Sequence, residues 1–167
     1  ACSDTGAVGG SVLTSKSDRR CVAEITRFCQ VTRSVGVALR CDGEAVVRQH
    51  CREALVQMGQ TEALLQTTPP GAHQSNGRAE RAARTLQGAV RTWLSSTRER
   101  LTAESLRADK PGFAWLVRHV IWLHNRYGEG VSPCELITGQ TQHGPIHEFG
   151  ASIMAKLPPS AVTAKLD

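Results

Sequence analysis

Apolar and polar residues alternate along this chain in two different periods. From Cys21 the apolar positions Cys21, Val22, Ile25, Phe28 and Cys29 recur as a helical stripe within residues 17 to 32. Residues 35 to 42 change rhythm: Val35, Val37, Leu39 and Cys41 alternate with other residues, as on a strand, and Asp42 ends the run. A second helical stripe, Val47, Cys51, Ala54, Leu55 and Met58, predicts a helix over 46 to 59, and residues 61 to 67 read as a further strand. The run TTPPGAHQSNG cannot be regular, because Pro69 and Pro70 deny it helix and Gly71 and Gly77 loosen it. Helices then follow over 78 to about 100 and 113 to about 126, the second with Phe113, Leu116, Val117, Val120, Ile121 and His124 as its stripe. A third begins at Ser132-Pro133-Cys134-Glu135, where Ser caps, Pro takes the first turn and Glu closes a capping box. At the front, Gly6 to Thr14 has the small and β-branched residues of a short strand. Strand, helix, strand, helix, strand and then helices predict an α/β sandwich, a mixed sheet flanked by helices.

Composition narrows this. The 167 residues suffice for one domain with a core, which at 40% apolar but only 4% aromatic residues must be largely aliphatic. Twenty Lys and Arg stand against fifteen Asp and Glu, a net charge of +5. The excess is uneven, since residues 72 to 100 hold six arginines and only two acids, Glu80 and Glu99. Such a patch suits a polyanion, and no apolar run approaches the length of a membrane span. The chain opens on Ala1 without a charged or apolar leader and reads as a fragment of a longer product. Six scattered cysteines without a CxxC pair read as reduced thiols of an intracellular protein, and His143 and His147 as solvated side chains rather than zinc ligands.

The helix over 78 to 100 carries the candidate chemistry. At about 100° per residue, Arg84, Gln87 and Arg91 fall roughly 40°, −20° and 20° from Glu80, so the four share one polar stripe. Ala82, Ala83, Leu86, Val90, Trp93 and Leu94 are assigned to the buried side. Two roles for Glu80 stay open. It pairs with Arg84 one turn on, for a few tenths of a kcal/mol, roughly; or it is a metal ligand converging with Asp42. Asp42 is equally ambiguous, a turn residue before Gly43 or a carboxylate at the carboxyl edge of a sheet.

The segment RCDGE with Asp42, then Glu80 after 37 intervening positions, inside TPPGAHQSNGRAERAARTLQ, resembles the catalytic core of retroviral and retrotransposon integrases. In that family the second Asp and the Glu of an Asp–Asp–Glu triad are separated by a count in the mid-thirties. Pro70, Asn76, Gly77 and Glu80 resemble its P-x-x-x-x-N-G-x-x-E run with one extra residue between Pro and Asn, while WLHNRY, SPCELITGQ and IHEFGASIMAKLP are similar to the later segments of Ty1/copia-like elements. The resemblance implies an RNase H-like fold, with residues 1 to 130 as the core and 131 to 167 as a post-core helix and exit segment. It implies metal-dependent DNA 3′-end processing and strand transfer, with Asp42 and Glu80 as catalytic ligands of Mg²⁺ or Mn²⁺. His73, Gln74, Ser75 and Asn76 in the loop, with Arg84, Gln87 and Arg91 on the helix, would contact DNA. DNA ends and target DNA, a homo-oligomer and a nuclear site of action on chromosomal DNA follow from the same likeness. The chain departs from the family at its front: the first strand and its Asp read as missing, and Asp4, in Asp-Thr-Gly, fits a turn better than a ligand. The alternative is a decayed or domesticated DNA-binding domain without catalysis.

Overall fold

A computed structural model describes residues 1–33, 38–61, 64–68, 77–97, 101–102, 104–127, 130–141 and 144–151. Helix α1 (Arg20–Val31) forms on the predicted stripe, with Val22 and Cys29 buried. It starts where Asp18 accepts the Arg20 backbone N–H at 3.0 Å and stops where the Thr32 hydroxyl turns back to donate to the Phe28 carbonyl at 2.9 Å. Strand β1 (Leu39–Cys41) leads into α2 (Ala45–Gln57), which buries His50, Cys51, Ala54 and Leu55. Strand β2 (Leu65–Thr67) returns parallel to β1 with Leu39 opposite Leu65 and Cys41 opposite Thr67. Parallel strands need a crossover between them, and α2 supplies it. The predicted alternation holds in β1, where Arg40 is exposed and Cys41 buried.

The remaining helices are α3 (Gly77–Thr97), α4 (Pro111–Arg126) and α5 (Pro133–Thr138). The chain is therefore mixed α/β, with one parallel sheet of two strands among the described residues rather than a larger mixed sheet. Helix α2 packs on α1 and on both strands, while α4 packs between α3 and α5. The α5 start is as predicted: the Ser132 Oγ accepts the Glu135 N–H at 3.1 Å and Pro133 occupies the first turn. Gly139, at φ 70°, ends the helix in the left-handed conformation that side-chain-bearing residues avoid. The Glu135 carboxylate does not serve as expected, because its Oε1 accepts the Thr141 hydroxyl at 2.8 Å.

Residues 6 to 14 form no strand. The backbone of Val8, itself 3% exposed, bonds instead to one side chain: its N–H donates to Asn125 Oδ1 at 2.9 Å and its carbonyl accepts from Asn125 Nδ2 at 2.8 Å. A strand needs a ladder partner, and here the amide of α4 takes that place. The neighbouring glycines make the approach possible, since a Cβ on Gly9 would stand 2.5 Å from the Phe28 ring. The same segment thus ties α1 to α4, although no strand forms. Asn125→Ala would leave two buried backbone groups unpaired and should cost about 2 to 4 kcal/mol in a urea titration. A loss below half a kcal/mol, roughly, would show that water replaces both bonds. Downstream, residues 146 to 151 carry no strand, and the rest of the expected exit segment lies outside the described residues.

Candidate nucleic-acid interface

Helix α3 keeps the predicted polar stripe in solvent: Glu80, Arg84, Gln87 and Arg91 are all exposed. Its other side is only half-buried at Ala82, Leu86, Val90, Trp93 and Leu94, and Thr97 alone is fully buried. Ala83 is exposed rather than covered, because at roughly 60° from Glu80 it belongs to the edge of the polar face. The apolar side rests on α4, where the Trp93 ring meets His119 edge-on at 5.2 Å. Burial lowers the pKa of His119, which favours its neutral form in this aromatic contact.

Charge on α3 is largely unspent. Glu80 makes no ion pair or side-chain hydrogen bond with any described residue, so the Glu80–Arg84 pair does not form. A surface pair of this kind gains little against the side-chain entropy it fixes. Arg81, Arg84, Gln87 and Arg91 likewise have no polar side-chain partner among the described residues, whereas Arg78 donates to the Ser3 carbonyl at 3.0 Å. Arg78, Arg81 and Thr85 line an open pocket of about 350 Å³ with His124 of α4 and the first residues of the chain.

Asp42 lies just beyond the carboxyl end of β1, the edge where ligands of open parallel sheets gather. It is exposed, and its Oδ1 accepts the Glu44 N–H at 3.2 Å, a local turn that launches α2. The turn role and the sheet-edge location therefore coexist. Asp4 is exposed on a turn closed by Cys2 N–H to the Ala7 carbonyl at 2.8 Å, in keeping with the Asp-Thr-Gly reading. The loop residues His73, Gln74, Ser75 and Asn76, like His143, lie outside the described residues; His147 is exposed.

Compared with known proteins, the chain matches no protein family, no curated protein and no solved structure.

The donor atoms of Asp42 and Glu80 suit a hard cation such as Mg²⁺, which takes carboxylate oxygen. Helix α3 has its extensive packing with α4 and not with the sheet, and no group of three or more His, Cys, Asp or Glu gathers among the described residues. The buried thiols Cys29, Cys41 and Cys51 offer no substitute, because burial raises the pKa of each. All six cysteines are free, and Cys51, next to Cys41, is pushed up to about 12, first by burial and then by the charge that Cys41 would carry. A thiol held protonated is neither a ligand nor a nucleophile at neutral pH. No described helix is long and apolar enough to cross a membrane. The sequence pattern did not single out Trp115 and Trp122, both exposed on α4. Their spacing of seven, on a helix whose sequence PGFAWLVRHVIWLHNR holds no acid, was the available signal.

Proposed function

We propose that this chain is a DNA-binding core of the retroviral and retrotransposon integrase class, with an RNase H-like fold of which β1, α2 and β2 form part. The observation that supports it most is the α3 stripe: Arg84, Gln87 and Arg91 share one exposed face and have no polar partner among the described residues. Guanidinium groups not engaged within the protein are available to phosphates, which they contact in a bidentate manner. Arg84 and Arg91 lie two helical turns apart, about 10.5 Å along the axis, and address successive parts of a DNA backbone. In this reading Asp42 and Glu80 hold Mg²⁺ or Mn²⁺, and His73, Gln74, Ser75 and Asn76 touch DNA near the cut. The cation would supply Lewis-acid activation of the phosphodiester. A homo-oligomer acting in the nucleus on element ends and target DNA completes the proposal.

A second reading, a nucleic-acid-binding domain without catalysis, is favoured by one observation. Asp42 already spends an oxygen on its own turn, and no third donor joins the two carboxylates among the described residues. Two measurements separate the readings. Duplex affinity should fall linearly with the logarithm of salt concentration, with a slope of about −3 to −4 if the arginines of α3 each displace a counterion. A flat response would remove both. A chain extended at its front by a strand carrying the first Asp should also join a 3′-hydroxyl end to a second duplex only when Mg²⁺ or Mn²⁺ is present, and Glu80→Gln in that chain should reduce the joining to background while duplex binding stays intact or tightens. Salt-sensitive binding without metal-dependent joining in the extended chain would leave the second reading.

A further inference from the structure

The outer side of α4 has no role in that proposal, yet it has an unusual surface. Trp115 is 69% exposed and Trp122 37%, although indoles are among the side chains that gain most from burial. Seven residues apart, they stand on one face of the helix, about 10.5 Å from each other along its axis. Arg118 lies between them in sequence, and the Arg126 guanidinium sits 5.2 Å over the Trp122 ring. Trp122 is held in place: His119 stacks on it at 6.0 Å with 20° between planes, and Tyr127 meets it edge-on at 5.4 Å. Trp115 has no ring partner among the described residues. The helix contains no Asp or Glu.

We propose that this ridge, Trp115, Arg118, Trp122 and Arg126, binds single-stranded nucleic acid by stacking an unpaired base on the open indole of Trp115, beside the Trp122 ring that His119 and Arg126 already engage. Every base has a flat face, so an exposed indole stacks bases without regard to sequence, while neighbouring guanidiniums follow the phosphates. A duplex hides the faces of its bases, so the ridge selects unpaired ones. Charge decides against a second copy of the chain as the occupant. Helices α3 and α4 together carry six arginines (Arg78, Arg81, Arg84, Arg91, Arg118, Arg126) and one acid, Glu80. A two-fold dimer through this layer would oppose like charges, whereas a polyanion complements them. Arg118 has an ion pair with Glu24, but at 3.7 Å and with 63% of its side chain exposed it can be exchanged for a phosphate. The inference does not rest on the integrase reading, because stacking on α4 needs neither Asp42 nor Glu80.

The test uses the whole 167-residue chain and fluorescence anisotropy of labelled oligo-dT and oligo-U of roughly fifteen nucleotides, beside a duplex of the same length. Trp115→Ala should weaken single-strand binding by about 5- to 100-fold, the range for loss of one stacked base. Its duplex affinity should stay within about twofold, and Trp115→Phe, which keeps a ring, should recover most of the loss. Saturating the wild type with oligo-dT should quench tryptophan fluorescence, and the quench should shrink in Trp115→Ala. Equal affinities for oligo-dT and oligo-U mean that stacking alone selects; a preference for oligo-U adds a 2′-hydroxyl contact on the same ridge. The proposal is overturned if Trp115→Ala binds single strands as wild type does, or if single-strand and duplex affinities fall together. It is overturned equally if sedimentation shows wild type self-associating and Trp115→Ala monomeric with oligonucleotide affinity unchanged. Loss of duplex binding in an Arg84→Ala, Arg91→Ala variant reports on α3 alone, so either reading can fail without the other.

Discussion

The Arg84→Ala, Arg91→Ala double variant is expected to bind a short DNA duplex about 10- to 100-fold more weakly than wild type near 0.1 M salt. Each arginine on the exposed stripe of α3 that meets a phosphate releases about one counterion, which near that salt concentration is worth somewhat less than a factor of ten. Neither guanidinium has a polar partner among the described residues, so removing them leaves no buried charge behind and the fold is unaffected. The decisive quantity is the slope of affinity against salt, which should become shallower by about 2 in logarithmic units, whatever the DNA sequence. Glu80→Gln provides the opposite control, since it removes the one acid of α3 and should leave that slope unchanged or steeper. If the double variant kept the wild-type slope, the phosphates would lie elsewhere and α3 would be an ordinary solvated helix.

A stability effect of comparable weight is expected in the core. Leu55 of α2 and Leu116 of α4 are the largest fully buried side chains among the described residues, each 0% exposed. Truncating either to Ala removes its transfer free energy and leaves a cavity, a loss of about 2 to 5 kcal/mol. Single domains have only about 5 to 15 kcal/mol to lose, so either variant should shift its urea midpoint strongly. The two leucines test cooperativity as well. Helix α2, which carries Leu55, packs on α1 and the strands, and α4, which carries Leu116, packs on α3 and α5; the joint between these groups includes the Asn125–Val8 clamp and the Gly9–Phe28 approach. If the joint couples them, Leu116→Ala melts helix and tertiary signals together, in one transition. Two separate transitions would show that the halves unfold independently.

The sequence by itself determined the helices. Helices α1, α2, α3, α4 and α5 lie within a few residues of their predicted spans because a helix closes its hydrogen bonds locally and its buried stripe is written in the same stretch. It also determined the Ser132 cap and the solvent face of α3, which follow from short-range spacing. Strands were less legible. Leu39–Cys41 and Leu65–Thr67 formed within longer expected runs, but residues 6 to 14 did not, because a strand exists only where a partner completes its ladder. The partner Val8 found was Asn125, 117 positions away, and no local pattern announces such a bond. The candidate site divides in the same way. The types and spacing of Asp42, Glu80, Arg84, Gln87 and Arg91 could be read directly, including their exposure. Whether Asp42 and Glu80 meet is set by the chain path through residues 69 to 76 and by the packing of α3 on α4, long-range matters that periodicity does not encode. The exposure of Trp115 is of the same kind: its place on one face of α4 is local, but that no described element covers that face was decided by tertiary packing alone.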